Sequence, residues 1–448
     1  MHALLFLLAV FGGMLLSLFY SPIFAFVATQ VVYFFNPDKR WWDYMVPSLS
    51  YSKITVVIMA IALALSYSKM PTNKISDVAP LKWLFALLAT FILASSFALV
   101  PDRHSTFLIE FIKLVITCIL AFKLITDEKK LNIVLYAYMF GCWYIGLVAF
   151  QMGRNSGVRL EGVGPIDSLD SNGTAAMLAP CLVVCLHYFY FAKTKLVKVL
   201  VSISGALTAN GLVLINSRGA FLAATVSIAY YIIMLYRNPL KLIAKKSQIG
   251  SAINLTRYRK TKVILLICVG LIAVVNVADD AFIERIQTIA VSGDSEQESG
   301  STRMHFWEGA WNMAKDYPLG VGIGGFEYMA PAYIPEDIHT GGSRNRAVHS
   351  SYFEILSEVG YLGLASFLLM LYGCFKLSKA TRAMLKQKLM ENQYFQVVAL
   401  EGMLISFLVS GIFLNRSRAV VLYWFITFIC AAYCIYVVRK DELKIHTE

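Results

Sequence analysis

One histidine lies at the end of a long polar segment, immediately before an apolar run. It is His349, in Arg346-Ala-Val-His349-Ser350. An imidazole accepts protons near neutral pH, so a histidine in this place could act as a general base toward a hydroxyl group. The same place also suits a histidine that caps a helix or makes a structural hydrogen bond. The sequence therefore makes His349 a candidate catalytic residue with a structural alternative.

Arginines recur in the same group of polar segments. They are Arg154, Arg159, Arg218, Arg303, Arg344, Arg346, Arg416 and Arg418. A guanidinium binds phosphate oxygens through paired N–H donors, and stabilising a departing charge is where such sites gain most. Several arginines around one histidine favour transfer of a group from a phosphate leaving group to a hydroxyl. As alternatives, Arg218 could extend to the membrane interface, and Arg154, Arg159, Arg416 and Arg418 are each more typical of interfacial residues.

Arg303 begins a predicted amphipathic helix that continues to residue 316 and carries Met304, Trp307 and Trp311 at helical spacing. Tryptophans in such a helix are typical of a position at the membrane interface. A cation at a helix N-terminus opposes the helix dipole. This placement does not stabilise the helix, so we expect an anionic partner for Arg303.

Motifs for nucleotide or metal chemistry are missing. The sequence has no GxxxxGK(S/T), HExxH or DxD, and Gly320-x-Gly322-x-x-Gly325 follows a predicted helix rather than a strand. The acidic run Asp294-x-Glu296-x-Glu298 lacks the rest of a calcium loop and reads as a solvated turn. We therefore expect no cofactor and no metal.

Composition places these residues in a membrane protein. Of 448 residues, 58% are hydrophobic and 15% charged, with a net charge of +12, whereas soluble chains are about 25% charged. The basic residues form short clusters between apolar blocks, which excludes a nucleic-acid-binding stripe as well as a soluble multidomain enzyme. All eight cysteines lie inside apolar blocks without a CxxC pair, so we interpret them as packing residues rather than a disulfide framework.

The apolar blocks predict an all-α polytopic fold of twelve or thirteen transmembrane helices. The number is twelve if the first two blocks form one crossing or a re-entrant hairpin. The predicted spans are 3–19, 22–35, 53–69, 83–100, 105–126, 131–151, 173–192, 196–216, 219–236, 262–278, 350–376, 394–414 and 419–438. The N-terminus does not resemble a cleavable signal peptide.

Charge predicts the orientation of the bundle. When alternate connections are grouped, basic residues dominate one side and acidic residues are in excess on the other. The positive-inside rule makes the first side cytoplasmic. The outer side then carries 36–52, 152–172, 217–218, 279–349 and 415–418.

We divide the chain into a bundle over 1–278, a large periplasmic loop with interfacial helices over 279–349, and a second bundle segment over 350–448. The fifth span also carries Glu110 and Lys113, which we interpret as a buried ion pair that Glu401 could join.

The ordered set of motifs resembles one family. His349-Ser350, nine residues and then Gly360-Tyr-Leu-Gly363 match the H-(N/S/Q)-x9-G-x-x-G signature of bacterial O-antigen ligases. Three further elements of the O-antigen ligase and polymerase superfamily precede it in the family's order, over about residues 150 to 370. They are Asp170-Ser-Asn172-Gly-Thr-Ala175, Ser217-Arg218-Gly219-Ala220, and Arg303-x-x-x-Trp307 followed by Pro318-Leu-Gly-Val-Gly-Ile-Gly-Gly-Phe326.

This resemblance implies a glycosyltransferase of the GT-C type in the bacterial inner membrane, with its active site facing the periplasm. It implies transfer of a whole glycan from undecaprenyl pyrophosphate to a hydroxyl of lipid A-core, with inversion and without nucleotide or metal. His349 would be the base or would position the acceptor, and Arg218 and Arg303 would bind the pyrophosphate. Arg154, Arg159, Arg346 and Asn172 would be supporting residues. Membrane lipids are expected partners, and nucleic acid is not.

Other functions stay open at this point. The region from Asn36-Pro37 through Trp41-Trp42 also resembles O-glycosylation ligases found beside exosortase systems, so the acceptor could be a protein. An O-antigen polymerase would use a second lipid-linked glycan as acceptor. A transporter would need charged or broken helices near the midplane in both halves of the chain, and the sequence places charges there in only one half.

Overall fold

The computed structural model describes residues 2–155, 159–168, 170–237, 300–336 and 343–439, together with positions 240, 261, 264 and 338. Within these ranges the chain forms fourteen α-helices. They are α1 His2–Phe19, α2 Ile23–Phe35, α3 Tyr51–Ser66, α4 Ala79–Ala94, α5 Pro101–Leu124, α6 Glu128–Met152, α7 Ser171–Phe191, α8 Lys195–Ile215, α9 Arg218–Arg237, α10 Gly300–Asp316, α11 Gly325–Tyr333, α12 Ser351–Gln387, α13 Glu391–Gly411 and α14 Val420–Tyr433.

The predicted all-α polytopic membrane fold is confirmed. Among the described residues, 10 helical segments are long and apolar enough to cross a membrane, and α2 is a shorter apolar helix. The 24-residue α5 is long enough but carries more charge. The predicted span 262–278 falls almost wholly outside the described residues, so the choice between twelve and thirteen spans stays a prediction.

Polar residues next to the apolar blocks determine where several helices begin and end. The side chains of Asp127 and Asp170 accept the N–H groups of Lys130 and Gly173, at 2.9 and 2.8 Å, and so cap α6 and α7. Such caps satisfy N–H groups that have no partner inside the helix. At the other end of a helix, Asn216 adopts a left-handed conformation with φ 57° and terminates α8.

Connections that the charge pattern assigns to one side of the membrane do lie together. Contacts on the outer side include Arg40 Nη2 to Val163 O at 2.8 Å and Leu99 N to Val321 O at 2.9 Å. Contacts on the inner side include Asn73 Nδ2 to Ile125 O at 2.9 Å and Gln393 Nε2 to Glu128 Oε1 at 3.1 Å. The alternation of connections agrees with the sequence. Which end faces the periplasm stays a prediction.

Helices α7, α13 and α14 form the centre of the bundle. Between 72% and 83% of the residues in their apolar windows are buried, against 33% for those of α4, α8 and α9. All seven cysteines in the described ranges are buried and free, as the sequence predicted for packing residues. Cys268 lies outside the described residues.

The predicted buried ion pair on α5 is wrong. Glu110 and Lys113 are both exposed on the outside of the bundle. The inward face of α5 carries Phe111, Val115 and Cys118, and helical spacing turns the two charges away from it. The carboxylate of Glu401 instead pairs with Arg382 at 3.2 Å and accepts the hydroxyl of Tyr230.

Helices α10 and α11 form a small apolar core of their own on the outer side. Phe306, Ala310 and Met313 of α10 contact Phe326 and Ala330 of α11, and Val348 completes the group. The predicted helix over 303–316 therefore exists. Its inward face carries Phe306, Ala310 and Met313. Met304 and Trp311 are 64% and 47% exposed. The exposed pair is available for the interfacial contact that the sequence predicted.

The Gly-rich turn after α10 is held against a break in α12. Gly360 has φ 77° and ψ −173°, a backbone conformation that residues other than glycine rarely adopt. Tyr361 N–H donates to the carbonyl of Pro318 at 3.0 Å, and Gly322 N–H donates to that of Glu358 at 2.9 Å. These contacts fix the end of α10 relative to the start of α12.

We expect Gly360→Ala to destabilise the protein. The backbone conformation costs alanine about 1–3 kcal/mol, and the added methyl group would also clash with the carbonyl of Pro318. The apparent melting temperature of the purified protein in detergent should fall. Gly12→Ala is the matched control, because a methyl group there meets nothing within 4 Å. An unchanged melting temperature for Gly360→Ala would show that the break in α12 is dispensable.

Candidate functional site

Arg218 stands at the outer mouth of the bundle, in the first turn of a helix. Helix α8 ends at Ile215, and only Asn216 and Ser217 separate it from α9. The N–H of Asn216 closes α8 on the carbonyl of Leu212, and the carbonyl of Ser217 accepts the N–H of Phe221. The two hydrogen bonds, at the end of α8 and at the start of α9, therefore fix the position of Arg218. The N–H groups of a first helical turn make its surroundings favourable to an anion.

The loop before α7 brings two further arginines to the same place. Leu160 N–H donates to the carbonyl of Leu214 at 3.0 Å, which holds the neighbouring Arg159 beside the end of α8. Arg154 Nη2 donates to the carbonyl of Val213 at 3.3 Å. Asn172 lies half-buried in the first turn of α7, whose N-cap is Asp170.

Arg303 joins this group from the small outer core. It lies in the first turn of α10, as Arg218 lies in the first turn of α9. Arg159 and Arg303 both act electrostatically on Arg218. Cations from three separate elements are thus gathered at two helix N-termini. Like charges repel each other, so these cations form a candidate site for an anion.

His349 lies beside the helix that carries Arg303. Val348 is buried in the small outer core, and His349 has a positive φ of 53°. The ring of Phe353, one turn into α12, stacks on Trp307 with 5.6 Å between centroids. Trp307 follows Arg303 by one helical turn, so both residues are on the same face of α10. His349 and Arg303 therefore border the same junction between α10 and α12.

The turn between α13 and α14 links His349 to Arg218. Ser350 N–H donates to Asn415 Oδ1 at 2.9 Å. Two residues earlier, the ring of Phe413 lies against Gly219, where a Cβ would be 3.5 Å from it. The neighbours of His349 and Arg218, Ser350 and Gly219, therefore contact the same short segment 413–415 at the outer end of the bundle.

A family match covers the central part of this arrangement. Residues 203–368 match the family model described as O-antigen ligase. This region of the chain is similar to the O-antigen ligase family. The match contains Arg218, Arg303 and His349, and it confirms the resemblance seen in the motifs. No functionally curated protein matches the chain.

Similarity to the O-antigen ligase family supports a general type of function. Proteins of this superfamily are ligases or polymerases of the glycosyltransferase kind, and their substrates are lipid-linked glycans and lipid acceptors. Together with the apolar helices, the match identifies a multi-pass membrane protein. The resemblance of the N-terminal region to exosortase-associated ligases stays a prediction, because the match begins at residue 203.

Two arginines near His349 differ in their surroundings. Arg344 donates to the carbonyls of Pro335 at 2.8 Å and Glu336 at 3.2 Å and also contacts that of Ile334, so it closes the segment after α11. Arg346 is half-buried and lies three residues before His349. Its role as a supporting residue in this O-antigen ligase-like site stays a prediction.

The interpretation of Arg416 and Arg418 as interfacial residues is wrong. Arg416 forms an ion pair with Asp170 and donates to the carbonyl of Asp167 at 2.6 Å. Arg418 pairs with Glu354 at 3.1 Å and Glu358 at 3.0 Å. The sequence analysis did not assign an acidic partner to either arginine. Glu354 and Glu358, four residues apart on one helical face just after His349, were the available signal.

Metal ligands are not grouped within the described ranges: no three His, Cys, Asp or Glu side chains come together there. Asp294, Glu296 and Glu298 lie outside those ranges. Metal independence therefore stays a prediction, which a chelator can test.

Proposed function

We propose that the protein is an inverting, metal-independent glycosyltransferase of the GT-C type. It transfers a whole glycan from undecaprenyl pyrophosphate to a hydroxyl of lipid A-core at the periplasmic face of the inner membrane. The gathering of Arg218, Arg303 and Arg159 beside His349 is the observation that carries this proposal. Arg154, Arg346 and Asn172 support the site from its edges.

The donor pyrophosphate binds between the first turns of α9 and α10. Arg218 and Arg303 supply paired N–H donors for its oxygens, and the helix N-termini add partial positive charge. The charge on the leaving pyrophosphate grows as the glycosidic bond breaks, so these contacts strengthen toward the transition state. This difference in binding is what accelerates the reaction.

The acceptor hydroxyl lies on the His349 side of the donor sugar. Its oxygen attacks the anomeric carbon while the bond from that carbon to the pyrophosphate oxygen breaks, so the configuration inverts. The hydroxyl proton passes to the imidazole of His349, and the electron pair of the broken bond leaves with undecaprenyl pyrophosphate. The energy for transfer comes from the donor, and no nucleotide is needed.

Charge and topology support the periplasmic placement. The site lies at the end of the bundle where basic residues are fewer in the connections, which the positive-inside rule assigns to the periplasm. Transport by the bundle has less support. Glu110 and Lys113, the charges in the first half of the chain that favoured it, lie on the exterior of the bundle, and the cations gather at one end rather than at the midplane.

Reconstituted transfer tests the proposal. The purified protein is incubated with undecaprenyl-pyrophosphate-linked glycan and lipid A-core in the presence of EDTA. We expect glycosylated lipid A-core with the wild type and none with His349→Ala or Arg218→Ala. Elongation of the lipid-linked glycan itself would instead identify a polymerase. Transfer to neither lipid, but to a protein acceptor, would identify a protein O-glycosylation ligase. Transfer that EDTA abolishes would contradict metal independence.

A further inference from the structure

The four-residue turn 415–418, between α13 and α14, contacts the start of α12, the loop that carries Arg159 and the N-cap of α7. Through Glu358 it also reaches the Gly-rich turn that follows α10. We infer that this turn aligns the site, with Asn415, Arg416 and Arg418 acting as positioning residues rather than as ligands of the substrate. The inference rests on the proposed function for its catalytic consequences. Its structural part can be tested without any transfer reaction.

The Arg416 side of the turn holds the loop that carries Arg159. Asp167, in that loop, accepts the hydroxyl of Tyr33 at 2.7 Å and the N–H of Val420 at 3.0 Å, and its carbonyl accepts Arg416. Arg416 also pairs with Asp170, the N-cap of α7. Burial lowers the pKa of Arg416, and the charge of Asp167 opposes this effect. The loop is thus attached to the start of α14 and to the start of α7.

The Arg418 side of the turn holds the Gly-rich turn that follows α10. Arg418 bridges Glu354 and Glu358, and the hydroxyl of Ser417 donates to Glu354 at 2.6 Å. Glu358 in turn accepts the N–H of Gly324 at 2.7 Å. Burial acts to lower the pKa of Arg418, but the two carboxylates outweigh it and the pKa is raised. Arg418 is therefore a permanently charged link between α12 and the Gly-rich turn.

The first residues of the turn hold the two serines that follow His349. Asn415 accepts the N–H of Ser350, and the hydroxyl of Ser351 both accepts Arg416 N–H at 2.9 Å and donates to the carbonyl of Leu414 at 2.6 Å. The start of α12 is therefore tied to the turn at the two residues that follow His349.

Their ion pairs explain why Arg416 and Arg418 position other residues of the site and do not bind the substrate. Each guanidinium already contacts acidic residues: Arg416 contacts Asp170 and the carbonyl of Asp167, and Arg418 contacts Glu354 and Glu358. A pyrophosphate would have to approach these carboxylates or displace them, and both events are unfavourable. Arg159 and Arg303 act on Arg218 as like charges, which favours an anion at Arg218.

Hydrogen exchange of the substrate-free protein tests the structural part. We expect Arg418→Met to increase exchange in 318–326, where Gly324 N–H loses the support of Glu358, and to leave 159–168 unchanged. Arg416→Met should give the reverse pattern. Arg237→Met, at the exposed inner end of α9, is the control and should change neither segment. Unchanged exchange in both variants, or a uniform increase over the whole bundle, would overturn the inference.

Kinetics test the catalytic part on the same variants. Misplacement of a reacting group by about 1 Å can cost a factor of about 100 in rate. We expect kcat of Arg418→Met to fall by about that factor, with the Kd for undecaprenyl pyrophosphate nearly unchanged and partial rescue by Arg418→Lys. A higher Kd with unchanged kcat would make Arg418 a ligand of the donor and overturn the inference. If the wild type transfers nothing, the proposed function fails, and the exchange pattern still decides the role of the turn.

Discussion

Replacing Arg218 with alanine is expected to lower the rate of glycan transfer about 100- to 1,000-fold, the loss typical when one donor to a developing negative charge is removed. Arg218 lies where Arg159 and Arg303 add their charge and where the first turn of α9 provides backbone N–H groups. The loss should appear mainly in kcat, because the charge on the leaving pyrophosphate is greatest in the transition state. Initial rates with purified donor and acceptor measure it.

Arg303→Ala should behave in the same way, and the double variant should lose less than the product of the two single effects, because both arginines act on one leaving group. Lys315→Ala is the matched control for Arg303, since Lys315 is an exposed cation near the end of the same helix whose side chain bonds to Asn312. Equal activity of Arg218→Ala and the wild type would remove Arg218 from the site.

Replacing His349 should have an effect of similar size. General base catalysis contributes about 100- to 10,000-fold, and we expect a loss of kcat in that range. His349→Asn is the better variant for this test, because His349 has φ 53° and asparagine tolerates the left-handed region that alanine disfavours. Melting temperature and donor affinity should then stay near those of the wild type, so that the lost rate reports the imidazole alone.

The pH dependence of transfer separates the two roles of His349. If the imidazole takes the proton, the transfer rates of the wild type and of His349→Asn should depend differently on pH. If the imidazole only orients the acceptor, wild type and variant should share one pH profile. Full activity of His349→Asn would leave a structural role for the histidine.

The sequence predicts the parts of this fold that depend on local patterns. Apolar block lengths give the spans, and the motifs around Arg218, Arg303 and His349 give three residues that lie toward one end of the bundle. Those features lie within one helix or one turn. Helical spacing also predicts α10, although the inward face contains Phe306 and Ala310 rather than Met304.

Long-range ion pairs could not be predicted in the same way. An arginine in an outer turn has the same local sequence whether it faces lipid headgroups or a buried carboxylate. The partners of Arg418 lie about 60 residues away in the sequence, and the carbonyl that Arg416 binds is 249 positions away. Glu110 shows the opposite case, because an acidic residue in an apolar block looks buried until the packing of Phe111 and Val115 shows which face is inward.

The contacts of turn 415–418 affect how the protein can be divided for engineering. The family match ends at residue 368, yet the groups that hold its histidine and Gly-rich turn come from Asn415 and Arg418, and Asp167 lies ahead of its first residue. A chimera that exchanged only 203–368 between related chains would carry over Arg218, Arg303 and His349 without the residues that hold the segments around them. The smallest exchangeable unit therefore has three separate pieces of sequence: the matched region, the loop before α7, and the turn before α14.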